Sequence, residues 1–290
     1  MVVILLTARP DLRTNQRFVE AASALGVDLR VVDASGATAV LADDRIQLLD
    51  RTRTALTAEV VIPRIGNWRP ESLLAMLEAV VGGGAASPNP PNAIRIGRDH
   101  WATVRTLAAA GLPVVPTVAG SDPESLAATA HDLFRYPVVV KQRRSRMGVG
   151  VVQCETRAHL EAVLDSLWRV GDEVVVQRWI PGGQTSYRLL VAGRAVVAAA
   201  RFCACDGEWR SNAARGGSAV SYGPKSGEVD LAVAAAAALG LGQCGVDLVI
   251  DGSCPVVLEV NPTPGFLRLE EATGVDVARA LVEHALTCAE

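Results

Sequence analysis

The chain has 290 residues, enough for about two domains of the usual roughly 100–200 residues each. Its 28 basic residues against 31 acidic ones leave a net charge of −3, and its aromatics are five Trp, three Tyr and four Phe. That balance excludes the basic, aromatic-rich surface of a nucleic-acid binder, and the apolar run at 231–242, twelve residues long, falls short of the roughly 18 that a membrane helix requires. The first six residues are apolar, lack a basic leader and stop at Thr7, so they read as a buried strand and not as a signal peptide. Six cysteines with no Cys-x-x-Cys pair read as reduced structural thiols, and a cytoplasmic location is expected.

Residues 2–6, 28–32 and 59–63 have the short apolar, β-branched character of buried parallel strands, with helical periodicity at 15–25 and 71–81. A small α/β layer is expected there. The run from Gly82-Gly83-Gly84 to Pro88-Asn89-Pro90-Pro91 breaks any regular element and reads as a linker. Beyond it, Asp99 is placed to cap a helix ending near Gly111, and Asp122-Pro123-Glu124 opens another that stops before Pro137. Strand 137–141, a glycine-containing turn at 145–150 and strand 150–154 follow, then a helix over 157–170 and strands near 174–178, 186–191 and 195–202. The order strand, loop, strand argues against a Walker or Rossmann phosphate loop, which leads into a helix. Ala234–Ala238 reads as the middle of a helix.

The most informative segment is 245–261, where two β-rich runs flank the turn-forming residues Asp251-Gly252-Ser253-Cys254-Pro255. If Ile250 pairs with Val256, counting outward along both strands sets Asp247 opposite Glu259, with Cβ atoms about 4.5–5.5 Å apart. Asn261 shares that face because strand side chains alternate. Opposed carboxylates need a cation between them, and two carboxylates with an amide oxygen form a hard donor set suited to magnesium. The competing reading, a solvated face carrying coincidental acids, sits poorly with the apolar neighbours.

Lys141 closes the apolar strand 137–140 ahead of Arg143, Arg144, Arg146 and Gly148-Val149-Gly150, where its ammonium can meet phosphate oxygens. A lysine snorkelling from a strand end would leave the same pattern. Arg210-Ser211-Asn212 through Arg215-Gly216-Gly217 offers two guanidinium groups five residues apart, suited to oxyanions. Gln177-Arg178-Trp179-Ile180 can wall an adenine site or simply enter a turn.

Taken in order, these segments resemble the ATP-grasp ligases, most closely their RimK-like branch. The similarity runs from Ile62-Pro63-Arg64-Ile65-Gly66 through Gly97-Arg98-Asp99-His100-Trp101 and the segments above to Leu258-Glu259-Val260-Asn261-Pro262-Thr263-Pro264-Gly265. The resemblance implies an ATP-grasp fold of mixed α/β and α+β class, in which two α+β subdomains sandwich ATP behind a small parallel-sheet α/β domain. The expected divisions are 1–93, 94–173 and 174–290. It implies an ATP-dependent ligase that joins an amino acid such as glutamate to a carboxylate through an acyl phosphate. ATP would contact Lys141, Arg178, Trp179, Ser186, Arg210, Ser211, Asn212 and His100. Asp247, Glu259 and Asn261 would hold magnesium, with manganese as an alternative, and Arg215, Arg210 and Arg188 would act on the transferring group. The expected partners are ATP, a carboxylate acceptor and an amino-acid donor, with no nucleic acid, no membrane and room for a homo-oligomer. The departures from the family pattern are His100 where a lysine is usual, Arg178 where an acid is usual and Ser186 where an aspartate is usual. They motivate two rival readings, an ATP-grasp kinase and a nucleotide-binding module that has lost turnover.

Overall fold

A computed structural model describes residues 1–144, 150–210 and 217–289. The opening strand β1 (Val2–Thr7) is buried because parallel partners cover both its edges. After α1 (Arg13–Ala24), β2 (Asp28–Asp33) pairs on one side of it, and β6 (Val60–Arg64) on the other. Between β2 and β6 lies an antiparallel sheet that the sequence did not suggest, made of β3 (Thr38–Ala42), β4 (Arg45–Leu49) and β5 (Ala55–Leu56). Its first turn is Asp43-Asp44, both at positive φ (49° and 58°), a conformation usually announced by Asn-Gly or Asp-Gly. Two aspartates carry no such signal.

Helices α2 (Pro70–Gly82), α3 (Pro91–Gly97) and α4 (His100–Ala109) follow. The expected linker before α3 is docked along its length. Ala86 exchanges backbone hydrogen bonds with Glu59 and Val61 beside β6, and the carbonyl of Pro88 accepts from Gly242 N–H at 2.8 Å. Asn89 is buried. Prolines at 88, 90 and 91 lack N–H groups, so this segment finds its partners elsewhere in the fold.

The middle unit contains β7 (Thr117–Ala119), α5 (Pro123–Leu133), β8 (Val138–Gln142), β9 (Val151–Cys154), α6 (Arg157–Arg169) and β10 (Val174–Arg178), with sheet order β7-β10-β8-β9. Both helices begin where the sequence put them: Asp122 caps α5 by accepting from Ser125 N–H, and Thr156 caps α6 by accepting from His159 N–H. Val138, Val140, Val174 and Val176 bury one face of this sheet against Leu126, Ala130, Leu160 and Leu164. Alternation therefore turns Lys141 and Gln177 to the opposite face.

The last unit is a five-stranded antiparallel sheet, order β13-β12-β11-β14-β15, built from β11 (Thr185–Ala192), β12 (Ala195–Cys203), β13 (Ser218–Ser221), β14 (Gln243–Asp251) and β15 (Cys254–Asn261). The alanine-rich run forms α7 (Ser226–Ala238) between β13 and β14, and α8 (Leu267–Thr273) and α9 (Val277–Thr287) close the chain. One core crosses the expected boundary at 93/94: Val3, Leu5, Phe18 and Val60 pack with Leu190, Ala200, Phe266 and Leu281. Arg17 of α1 ties this junction by donating to Glu270 at 3.0 Å and Asp276 at 2.9 Å. Among the described residues no helix is long and apolar enough to cross a membrane, and all six cysteines are free.

Candidate active site

The hairpin β14–β15 sets Asp247 directly opposite Glu259, and Gly245 opposite Asn261. The route to that register differs from the expected one. The turn is only Gly252-Ser253, with Gly252 at φ +63°, so Ile250 pairs with Pro255 and Val249 with Val256. Continued without interruption, that register would pair Asp247 with Leu258 and send Glu259 to the other face. A β-bulge between Asp247 and Leu248 takes up Leu258 as an extra residue and brings the two carboxylates back into line.

Their opposed charge is offset from both sides. Arg188 on β11 pairs with Asp247 across the strands and donates from Nε and Nη2 to its two carboxylate oxygens at 2.7 and 2.6 Å. Burial alone would lower the Arg188 pKa, but the Asp247 charge and hydrogen bonds outweigh it and the group is held above its ordinary value. Lys141 is also buried. Desolvation pushes its pKa down, while the charges of Glu259 and Asp247 pull it back up, which places its ammonium within their field. Gly245 permits this crowding, since a Cβ there would stand 3.2 Å from Pro264 Cβ and 3.7 Å from Arg188 Cδ.

Among the described residues no group of three His, Cys, Asp or Glu side chains gathers, so a cation at this hairpin would have two carboxylates and the Asn261 amide to draw on. This set fits magnesium. Its atoms are hard oxygens, and each Asp247 oxygen keeps a second lone pair beyond the Arg188 bond. Asn261 Oδ1 accepts from Thr263 N–H at 2.9 Å, which orients the amide. Asn89, which sequence reading passed over as a turn residue, braces the same strand ends: its Nδ2 donates to the carbonyls of Gln243 at 2.7 Å and Pro262 at 2.9 Å, and its Oδ1 accepts from Gln243 N–H at 2.9 Å. Only its burial reveals it.

The remaining candidates divide. His100 begins α4 and shares a cleft with Arg98, Thr103, Leu258 and Glu259. Its backbone N–H donates to the Arg143 carbonyl at 2.8 Å. Arg143 and Arg144, grouped with the phosphate-binding cations on sequence grounds, face Asp99 instead: Arg143 donates to both its oxygens, at 3.1 and 2.7 Å, and Arg144 approaches to 3.5 Å. Asp99 in turn caps α4 by accepting from Ala102 N–H at 3.0 Å. Arg178, at the end of β10, forms a close ion pair with Asp251 at the hairpin turn and so latches the middle sheet to the last one. Trp179 meets Trp209 edge to face with centroids 5.5 Å apart. Arg210 donates to Glu208 from Nε and Nη2, both at 2.9 Å, and from Nη1 to the Val151 carbonyl at 3.2 Å. That pairing holds the Glu208 carboxyl down at about 2. Ser186 is buried on β11 opposite Phe202. Arg215, Ser211 and Asn212, like the turn at 145–149, lie outside the described residues.

On the face of the middle sheet that carries Lys141, Gln177 is 1% exposed and its Nε2 donates to Thr117 Oγ1 at 2.9 Å. Thr117 itself donates to the Val115 carbonyl at 2.8 Å, so it accepts from the amide, and the buried Gln177 Oε1 is left with no hydrogen-bond partner.

This arrangement of two facing sheets, an acidic hairpin and a buried lysine matches a known family over nearly the whole chain. The model of the RimK-like ATP-grasp domain matches residues 97–285, and that of the RimK pre-ATP-grasp domain residues 1–94. The chain belongs to the RimK-like ATP-grasp family. A protein of Stenotrophomonas maltophilia (strain K279a) named "Probable alpha-L-glutamate ligase" is 34% identical over 285 residues, 98% of each chain. A protein of the same name from Xanthomonas oryzae pv. oryzae (strain MAFF 311018) is 34% identical over 98% of this chain and 97% of its own. Among solved structures, a RimK domain ATP-grasp protein from Sphaerobacter thermophilus is 25% identical with a TM-score of 0.74, covering 98% of this chain and 99% of that one. The ATP-grasp ligase PsnB complexed with a minimal precursor shares the fold at 20% identity and a TM-score of 0.77, over 100% of this chain and 98% of its own. The ATP-grasp fold with a leading parallel-sheet domain is thereby shown for this chain.

Proposed function

We propose that this ATP-grasp protein is an ATP-dependent carboxylate–amine ligase that joins glutamate, or an amino acid close to it, to a carboxylate of a protein tail, peptide or small metabolite. The observation that carries the reading is Asp247 opposed to Glu259 on one face, with the buried Lys141 ammonium in their field. The relatives' shared name favours glutamate as the amine. In this reading Lys141 neutralises phosphate charge, and Gln177 Oε1 accepts from the exocyclic amine of adenine where Trp179 walls the base. Arg188 fixes the orientation of the Asp247 carboxylate, and Asn89 keeps Asn261 at the strand end. A magnesium ion, or manganese, bound by Asp247, Glu259 and Asn261 would supply charge neutralisation at the β- and γ-phosphate oxygens. Transfer of the γ-phosphoryl group to the acceptor carboxylate gives an acyl phosphate and ADP; the amine then attacks the acyl carbon, loses a proton and expels phosphate. Arg210 and Arg215 are assigned to the transferring group. The reading keeps three units at 1–93, 94–173 and 174–290, places the reaction in the cytoplasm and admits a homo-oligomer.

The test is ADP release from purified protein with magnesium, ATP, L-glutamate and a panel of carboxylates, and, in a separate reaction without glutamate, hydroxylamine to trap the acyl phosphate as a hydroxamate. ADP release that requires both the amine and a carboxylate is expected. Its absence over the whole panel overturns the proposal. Glu259→Gln is expected to lower turnover at least about 100-fold, the scale set by losing a metal ligand, while the melting temperature stays near that of the parent.

A further inference from the structure

Arg98 joins α3 to α4 and is buried, with 8% of its surface exposed. Its Nη1 donates to the carbonyl oxygens of Ile65 at 3.2 Å and Gly66 at 2.8 Å. Among the described residues no carboxylate reaches it within ion-pair distance. The adjacent Asp99 is turned to Arg143 and Arg144 instead. Two carbonyls satisfy donors but carry no charge, and a guanidinium cannot shed its proton to escape burial. A buried cation without a counter-ion is costly, as its lowered pKa reflects: desolvation is the main cause, Glu71 opposes it and Arg144 adds to it. Arg98 also lines the cleft between α4 and β15, together with His100 and Glu259. The family resemblance expects a phosphate-directed lysine at position 100. Here that place holds an imidazole, and a permanent positive charge stands two residues earlier on the same cleft.

We propose that Arg98 is an oxyanion-binding residue, which receives a phosphoryl or carboxylate group of the substrates in the cleft between α4 and β15. The inference deepens the ligase reading and rests on it for the identity of the substrates. A nucleotide γ-phosphate and a substrate carboxylate present the same chemistry to a guanidinium, so the source is read from two binding titrations.

The first titration compares magnesium with ADP against magnesium with the β,γ-imido analogue of ATP, by calorimetry. The second adds L-glutamate or triglutamate to protein already holding the imido analogue. Neither needs turnover. Arg98→Gln keeps N–H donors for the Ile65 and Gly66 carbonyls but removes the charge, and Arg98→Lys keeps the charge but loses the fork. Binding is expected to fall in the order parent, Arg98→Lys, Arg98→Gln, by about tenfold or more at the last step, the scale of a lost charge-assisted hydrogen bond. A loss confined to the imido analogue assigns the phosphoryl group; a loss confined to glutamate or triglutamate assigns the carboxylate. Constants that stay within about twofold of the parent in both titrations overturn the proposal whatever happens to the melting temperature, because a brace for the 65–66 backbone predicts that result. If Arg98→Gln does not fold, Arg98→Lys decides by the same criterion. A parent protein that binds nucleotide but forms no ADP with any amine sinks the ligase reading alone, and leaves the nucleotide titration able to decide Arg98.

Discussion

Arg188 occupies both oxygens of Asp247 at 2.7 and 2.6 Å, so a protein cation already balances the acidic pair before any metal arrives. Removing one member of a mostly buried pair strands the other. Arg188→Met is therefore expected to cost about 3 kcal/mol in urea denaturation, and magnesium with ADP is expected to raise the melting temperature of the variant more than that of the parent. Equal shifts would show that Asp247 does not share its charge between Arg188 and a metal. The thiols divide at this scale too. Burial pushes Cys154 up to about 11 and Cys244 up to about 12, whereas Cys205 and Cys254 are exposed. At pH 8 a thiol reagent should label Cys205 and Cys254 in the folded protein and spare Cys154 and Cys244 until denaturant is added. Because the native state holds these two protons to higher pH than the unfolded chain does, stability is expected to fall as pH rises from about 9 toward 12.

At the scale of the element, the hairpin shows what pattern reading can and cannot reach. Parity along one strand made the shared face of Glu259 and Asn261 legible, whereas Asp247 joins them only because the bulge offsets a turn one residue tighter than expected. The turn was not legible: five polar and turn-forming residues conceal which two make it, and Leu258 looks like any other strand residue until the bulge exposes its role. Asn89 and Arg98 escaped for a related reason, since each draws its partners from segments distant in sequence. The start of α4 at His100, by contrast, was legible, because Asp99 and the following helix carry an N-cap signal on a local scale. Gly252 at φ +63° fixes the tight turn from which the bulged register is counted. Gly252→Val is expected to destabilise the protein by about 1–2 kcal/mol, measured by denaturant midpoint, with activity per folded molecule preserved by the bulge. Retained stability would mean that the turn is free to lengthen toward the five-residue loop.

For the whole molecule, the leading parallel sheet was readable from the order of strands and helices, but the way it is closed was not. Val3, Leu5, Phe18 and Val60 share a core with Leu281, Val282 and Ala285 of α9. Two apolar faces more than two hundred residues apart carry no sequence mark that they belong together. A variant ending at Gly274 should consequently lose protection in residues 1–93 as well as at its own end, read by hydrogen exchange with mass spectrometry; loss confined to the terminus would refute the shared core. The same arrangement bears on how the protein comes off the ribosome. Synthesis delivers the first parallel sheet many seconds before the helix that covers it, at roughly 5–20 residues per second. Until α9 emerges, the nascent chain displays the bare side of β1 and β6, and it is in that interval that the growing polypeptide most needs a chaperone.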